Sequence, residues 1–286
     1  MKQIYKIIIY YGLTFFIGTL ITICLNINNK NINDIVSSFL GWIYFSAWSL
    51  SYYPQIILNY QNKNVEGISI DYYAYNIFDV STYLLYNIFF YYNKTIQNQY
   101  KSFFHKSNLV EINDVAFSLH GFTLVCLTIF QIFYYNPKKK LSKTTIIIFS
   151  IIFTLLSIYF ICCVKINSIY FSGMMFFYVL SIFKIILTIM KYTPQIYHNY
   201  KRNNTDGFAI SNPLLDILGG IFSLSQVLFD SIIYHNSNGL LGDIVKLLLG
   251  ILTIFFDIIF ITQHFFLYKK NKKINNVYEL YDDLPE

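Results

Sequence analysis

Apolar stretches of about twenty residues recur from one end of this chain to the other, and they restrict it to a short list of folds. A hydrocarbon core of about 30 Å is crossed by about 20 helical residues. Within lipid every backbone amide must find its partner inside the protein, so long apolar runs become helices. They lie near residues 35–58, 68–92, 112–135, 144–164, 168–192, 208–234 and 240–268. An eighth, Ile7–Leu25, follows Lys2 and Lys6 and has the form of either a signal peptide or a retained anchor. Only 13% of the residues are charged and 55% are hydrophobic, against roughly 25% charged in a soluble domain. The expected fold is an all-α membrane protein with seven transmembrane helices.

The basic residues orient these helices, because loops rich in Lys and Arg stay in the cytosol. With residues 26–34 on the luminal side, the cytosolic segments hold Lys63, Lys138, Lys139, Lys140, Lys143, Lys201, Arg202, Lys269, Lys270, Lys272 and Lys273. The luminal segments hold Lys30, Lys94, Lys101, Lys106 and Lys165. The bias predicts a luminal N-terminal side and a cytosolic C-terminus, and either reading of Ile7–Leu25 is compatible with it. The net charge of +6 is then a topology signal and no argument for nucleic acid. Cys24, Cys126, Cys162 and Cys163 lie in apolar segments without metal-ligand spacing, so no metal or cofactor is expected.

Two stretches, "SYYPQIILNYQNKNVEG" (51–67) and "KYTPQIYHNYKRNNTDG" (191–207), align at a constant offset of 140. Nine of nineteen positions from Tyr52 to Ile70 are identical with their counterparts from Tyr192 to Ile210, so the chain is a duplication. Each copy has a helix carrying Pro-Gln, a short polar loop, a second helix and a third. An odd helix between the copies makes the arrangement three plus one plus three, with parallel repeats that enclose a site at their interface. The expected division is 1–34 as signal peptide or anchor, 35–135 as the first bundle, 136–165 as linker helix, 166–268 as the second bundle and 269–286 as cytosolic tail. A proline frees a backbone carbonyl and bends its helix, and an adjacent glutamine can partner the freed groups. Pro54, Gln55, Pro194 and Gln195 are therefore candidate hinge or gating residues.

Ionisable residues within membrane helices are expensive and usually line a solute or proton path. Asp79, Asp114, Lys184, Asp216, Asp230 and Asp257 all fall inside or near the ends of spans. Asn212 precedes Asp216 by one helical turn, so the two share a face. The offset of 140 pairs Asp216 with Asn76, which gives one cavity a titratable and a non-titratable polar group. Burial favours the protonated form of a carboxylate and a nearby lysine favours the charged form, so such a group can load and release a proton. Lys184 and Lys191 lie seven residues apart on one stripe, and a buried ammonium suits an amino-acid carboxylate. For Lys191, snorkelling to the interface is the competing reading, and for Asp114 it is helix capping.

"NDVAFSLH" (113–120), "KYTPQ" (191–195), "LLDILGGIFSLSQ" (214–226) and "FDIIFITQHFFLYKK" (256–270), together with the Pro-Gln pairs, resemble the cystinosin family of PQ-loop transporters. The likeness covers about residues 38–270. It implies proton-coupled export of L-cystine from the lysosome lumen to the cytosol by alternating access. It further implies proton-coupling roles for Asp216, Asp114 and Asp257, and substrate contacts at Asn76, Lys184, Lys191, Asn212 and Asp216. Asp79 departs from the pattern, since the family tends to have glycine there, and Asp230 replaces an uncharged polar residue. In the tail, Tyr281 and Leu284 have the spacing of a tyrosine-based endolysosomal sorting signal, which implies a clathrin-adaptor contact. A carrier of another small amino acid or a sugar, and a seven-helix cargo receptor, are the alternatives on this scaffold. An intramembrane aspartyl protease is excluded, because "GLLGD" (239–243) lacks the first glycine of its motif. No nucleotide loop or nucleophile triad is present, and no enzyme is expected.

Overall fold

A computed structural model describes residues 2–27, 31–105, 112–166, 170–233 and 244–268, with 108, 110 and 168. Apart from an isolated bridge between Ser168 and Phe171, the regular structure of the described residues is helical. The elements are α1 (Lys2–Asn26), α2 (Ile32–Ser51), α3 (Tyr53–Asn62), α4 (Ile70–Tyr92), α5 (Lys94–Phe104), α6 (Ile112–Tyr135), α7 (Lys143–Lys165), α8 (Gly173–Arg202), α9 (Ser211–Ile233) and α10 (Ile244–Thr262). A π-helical turn, Gln263–Leu267, continues α10. Among the described residues, six helical segments are long and apolar enough to cross a membrane, in α1, α6, α7, α8, α9 and from α10 into the π turn. Helices α2 and α4 are long enough too, with 20 and 23 residues, but carry more polar side chains. The chain is an all-α membrane protein with two three-helix repeats around α7. The sequence did not predict α5, an amphipathic helix whose N-terminus is capped by Asn93 through Thr95 N and Ile96 N.

The compact units of the chain do not coincide with the two copies of the repeat. One unit holds Met1–Ile68 and Ile196–Glu286, and the other holds Ser69–Gln195. In the first unit α2 packs against α1 and α9, and α9 against α10. Lipid provides no hydrophobic force between helices, so small residues that admit close approach do this work. Gly18 of α1 faces Ile43 and the Trp42 carbonyl, Gly219 faces the Trp48 indole, and Gly220 faces Ile254 and the Gly250 carbonyl. Side chains reinforce the seams: Tyr11 Oη donates to the Leu214 carbonyl at 3.0 Å, Asn26 Nδ2 to Ser38 Oγ at 2.8 Å, and Gln226 Nε2 to the Ser37 carbonyl at 2.9 Å.

In the second unit α4 is the central helix. It packs on α6, meets α7 and α8 through Tyr75, Ile152 and Leu187, and meets α5 and α8 through Phe90, Ile96 and Met174. Phe89 stacks on Phe177 with ring centroids 3.9 Å apart. Helix α7 shows Ile147, Ile151, Phe153, Leu155 and Ile158 on its surface, as a lipid-facing helix does.

The duplication extends to the backbone of the two loops. Lys63 and Asn203, 140 residues apart, both end their helices in the left-handed region, with φ of 50° and 48°. Asn64 Oδ1 then accepts from Glu66 N, and Asn204 Oδ1 from Asp206 N. Asparagine tolerates that conformation better than lysine. Lys63→Asn, which copies the second repeat, is expected to stabilise the detergent-solubilised protein by about 0.3–1 kcal/mol, visible as a raised thermal midpoint. The gain is held down by loss of the Lys63 ammonium, which lies 3.5 Å from the Tyr60 ring centroid.

Candidate functional site

Proline at equivalent positions produces different helices in the two copies. Pro54 opens α3 after the ladder is interrupted at Tyr52, whereas Pro194 lies within the continuous 30-residue α8. The neighbouring glutamines act alike. Gln55 is 1% exposed and grips the loop of the second copy, with Nε2 donating to the Gly207 carbonyl at 2.9 Å and Oε1 accepting from Ala209 N at 2.8 Å. Gln195, fully buried, accepts from Ser69 N at 2.7 Å. Ser69 and Ala209 are themselves 140 apart, so each glutamine accepts from the same amide of the opposite copy's loop. The loops touch at Gly67 and Gly207, where a Cβ on Gly67 would land on the Gly207 backbone.

Gln55 Nε2 also donates to Asn59 Oδ1 at 2.8 Å. The equivalent Asn199 instead donates to Gln263 Oε1 at 3.0 Å, and Gln263 Nε2 donates to the Ile196 carbonyl at 3.1 Å. Thr205 and His264 meet at 2.8 Å beside them. A cleft of about 290 Å³ lies between Pro54, the 205–211 loop and His264, all in the first unit. Gln55→Leu strips partners from a buried amide and a carbonyl at once. Each costs about 1–3 kcal/mol, so a loss of roughly 2–6 kcal/mol is expected in thermal unfolding.

Within the second unit, α4 and α8 bring a set of polar side chains together. Lys191 Nζ lies 3.0 Å from Asp79 Oδ2 and donates to Asn76 Oδ1 at 3.3 Å. The side chains of the ion pair are only 12% and 4% exposed. Lys191 is thus turned inward and does not snorkel. Thr188 Oγ1 stands 3.5 Å from both oxygens of Asp79. Lys184 Nζ lies 3.4 Å from the centroid of the Tyr83 ring. Asp114, in the first turn of α6, accepts at its carbonyl from Asn87 Nδ2 at 3.2 Å and from Ser118 Oγ at 2.8 Å. A buried ion pair of this kind is costly to break on one side, because the partner is left as an uncompensated charge.

Asn212, Asp216 and Asp257 belong to the first unit. Asp216 sits in the second turn of α9, where its carbonyl accepts from Trp48 Nε1 at 3.2 Å. Asn212 Oδ1 is buried and has no hydrogen-bond partner among the described residues. Asp257 is 1% exposed within α10. Asp230 carries one buried oxygen, Oδ1, without a hydrogen-bond partner among the described residues. Tyr281 and Leu284 lie outside the described residues.

The sequence reading did not assign Thr188, Tyr83, Trp48 or Gln263 to a site, and it set Asp79 aside as a departure. Spacing held part of the signal. Asp79 follows Asn76 by three residues, and Thr188 lies between Lys184 and Lys191 at steps of four and three, so each joins a stripe already marked. Trp48 and Gln263 carry no such mark, since both act through tertiary contacts.

Comparison with known proteins places these residues in context. A PQ loop repeat model matches residues 36–96 and 176–233. A cystinosin homolog from Dictyostelium discoideum is 40% identical over 240 residues, which cover 84% of each chain. A cystinosin homolog from Arabidopsis thaliana is 34% identical over 245 residues, 84% of this chain and 88% of the relative. A cystine transporter from Saccharomyces cerevisiae is 28% identical over 265 residues, 86% of this chain and 99% of the relative.

Proposed function

From the premise that the chain belongs to the cystinosin family of PQ-loop proteins, we propose that it is a carrier of L-cystine and not an enzyme. The observation that carries this reading is the buried group of Lys191, Asp79 and Asn76 on α4 and α8. Opposite charges and an amide, held inside a membrane protein, suit a small zwitterion. Such a solute adds a carboxylate and an ammonium together, so no net charge is buried. Cystine has two such head groups, and the name of the yeast relative agrees with that substrate.

Transport is proton-coupled and runs from the lysosome lumen to the cytosol. Asp216 takes up a proton with the solute, and Asp114 and Asp257 complete the proton path. Asn76, Lys184, Lys191, Asn212 and Asp216 contact the substrate. The two repeats, 35–135 and 166–268 joined by 136–165, reorient around the site, and Pro54, Gln55, Pro194 and Gln195 absorb the change. The buried grip of each glutamine on the opposite loop supports this role, because it ties the bend in one copy to the loop of the other. The N-terminal side is luminal and the tail cytosolic, with Tyr281 and Leu284 read by a clathrin adaptor.

The test is uptake of labelled cystine by cells in which Tyr281→Ala and Leu284→Ala send the protein to the plasma membrane. Uptake at about pH 5 is expected to exceed uptake at about pH 7. Normal surface density without cystine uptake at either pH would contradict the reading. It would favour a carrier of another solute or a receptor.

A further inference from the structure

Asp79 and Lys191 face each other across α4 and α8 at 3.0 Å, with Asn76 and Thr188 completing the ring of polar atoms around them. We propose that this ion pair is the receptor for one α-amino-acid head group. The pair opens, Lys191 takes the α-carboxylate and Asp79 takes the α-ammonium. The inference rests on the carrier reading above and assigns it a specificity residue, Asp79.

Charge bookkeeping favours insertion over simple displacement. If a carboxylate displaced Asp79 from Lys191, Asp79 would remain buried without its cation, which is strongly unfavourable. A zwitterion exchanges one ion pair for two and leaves no charge unmatched. The groups that surround the opened pair fit that exchange. Asn76 Oδ1 already accepts from Lys191 Nζ at 3.3 Å and is placed to accept from an ammonium as well. Thr188 Oγ1, 3.5 Å from both Asp79 oxygens, has a hydroxyl to donate to whichever carboxylate lies nearest. Lys184 adds a further basic side chain on α8, four residues before Thr188. The two side chains are only 12% and 4% exposed, so water competes poorly for them. The site therefore requires a free ammonium and a free carboxylate on the same carbon. A cost follows from the closed pair: the binding-competent open form is a minor state, and apparent affinity is reduced by its population.

The test uses the full chain at the plasma membrane, with labelled cystine and two competitors. Cystamine keeps the disulfide and the ammonium groups without the carboxylates, and dithiodipropionate keeps the carboxylates without the ammonium groups. Against the wild type both are expected to be weak. In Asp79→Asn the KM for cystine is expected to rise about tenfold, and dithiodipropionate to gain on cystine as a competitor. In Lys191→Met the gain is expected for cystamine instead. Asp79→Glu keeps the charge on a longer arm and should raise KM without changing the order of competitors, which supplies a reading if Asp79→Asn fails to reach the surface. An unchanged KM and unchanged competitor order in the Asp79 variants, with normal wild-type uptake, would overturn the proposal and leave Asp79 as a structural partner. No uptake of cystine by the wild type would overturn the carrier reading and the proposal with it.

Discussion

Asp216→Asn is expected to abolish the acid stimulation of cystine uptake while the protein still reaches the surface. The substitution keeps the shape and hydrogen-bonding capacity of the side chain and removes its titration. If Asp216 couples proton to solute, acid-driven uptake should fall by about 5- to 150-fold, the range of a coupling free energy of roughly 1–3 kcal/mol. The backbone bond from Trp48 Nε1 to the Asp216 carbonyl does not depend on the carboxylate, so α9 should keep its place against α2. The measurement is cystine-evoked current at about pH 5 with surface density counted in parallel. Undiminished current would remove Asp216 from the proton path.

The second large effect is structural. Gly67→Ala is expected to prevent accumulation of folded protein, because the added Cβ would occupy the Gly207 backbone. A flexible side chain could yield, but a backbone held by Gln55 at Gly207 O and Ala209 N cannot yield cheaply. Overpacking in a well-packed interior costs about 1–3 kcal/mol where side chains can adjust, and more where they cannot. Gly12→Ala, with nothing among the described residues within 4 Å of the added methyl, is the matched control and should behave as wild type. Fluorescence size-exclusion chromatography of tagged protein in detergent separates the two. A monodisperse Gly67→Ala peak of wild-type height would show that the loops do not meet in this way.

Much of this molecule is legible in its sequence because membranes impose strict rules. Apolar length gave the helices, and the offset of 140 gave the duplication. The shared residues of the two loops foretold a shared backbone, seen in Lys63 and Asn203. Other features could not be read because they depend on tertiary partners. Pro54 and Pro194 have similar neighbours, yet one interrupts a helix and the other does not. That α2 packs with α9 is a matter of which grooves fit, here set by Gly41, Gly219 and Trp48. Helix α5 was missed because its short amphipathic pattern falls between two spans, where the search was for apolar length.

The candidate site divides in the same way. Lys184, Lys191 and Asn76 stood out as polar residues in apolar helices. Asp79 stood out too, but as a departure from the glycine that the family tends to have there, and its partner Lys191 lies 112 residues away. Only the folded chain shows that the exceptional carboxylate and the lysine form one unit.

The central claim is that protons drive cystine through this protein, and purified protein in liposomes tests it without cellular machinery. With an acidic exterior and a neutral interior, labelled cystine is expected to accumulate inside above its external concentration, and a protonophore is expected to abolish the accumulation. Cystine levels equal to those of protein-free liposomes, with properly inserted protein, would contradict the claim.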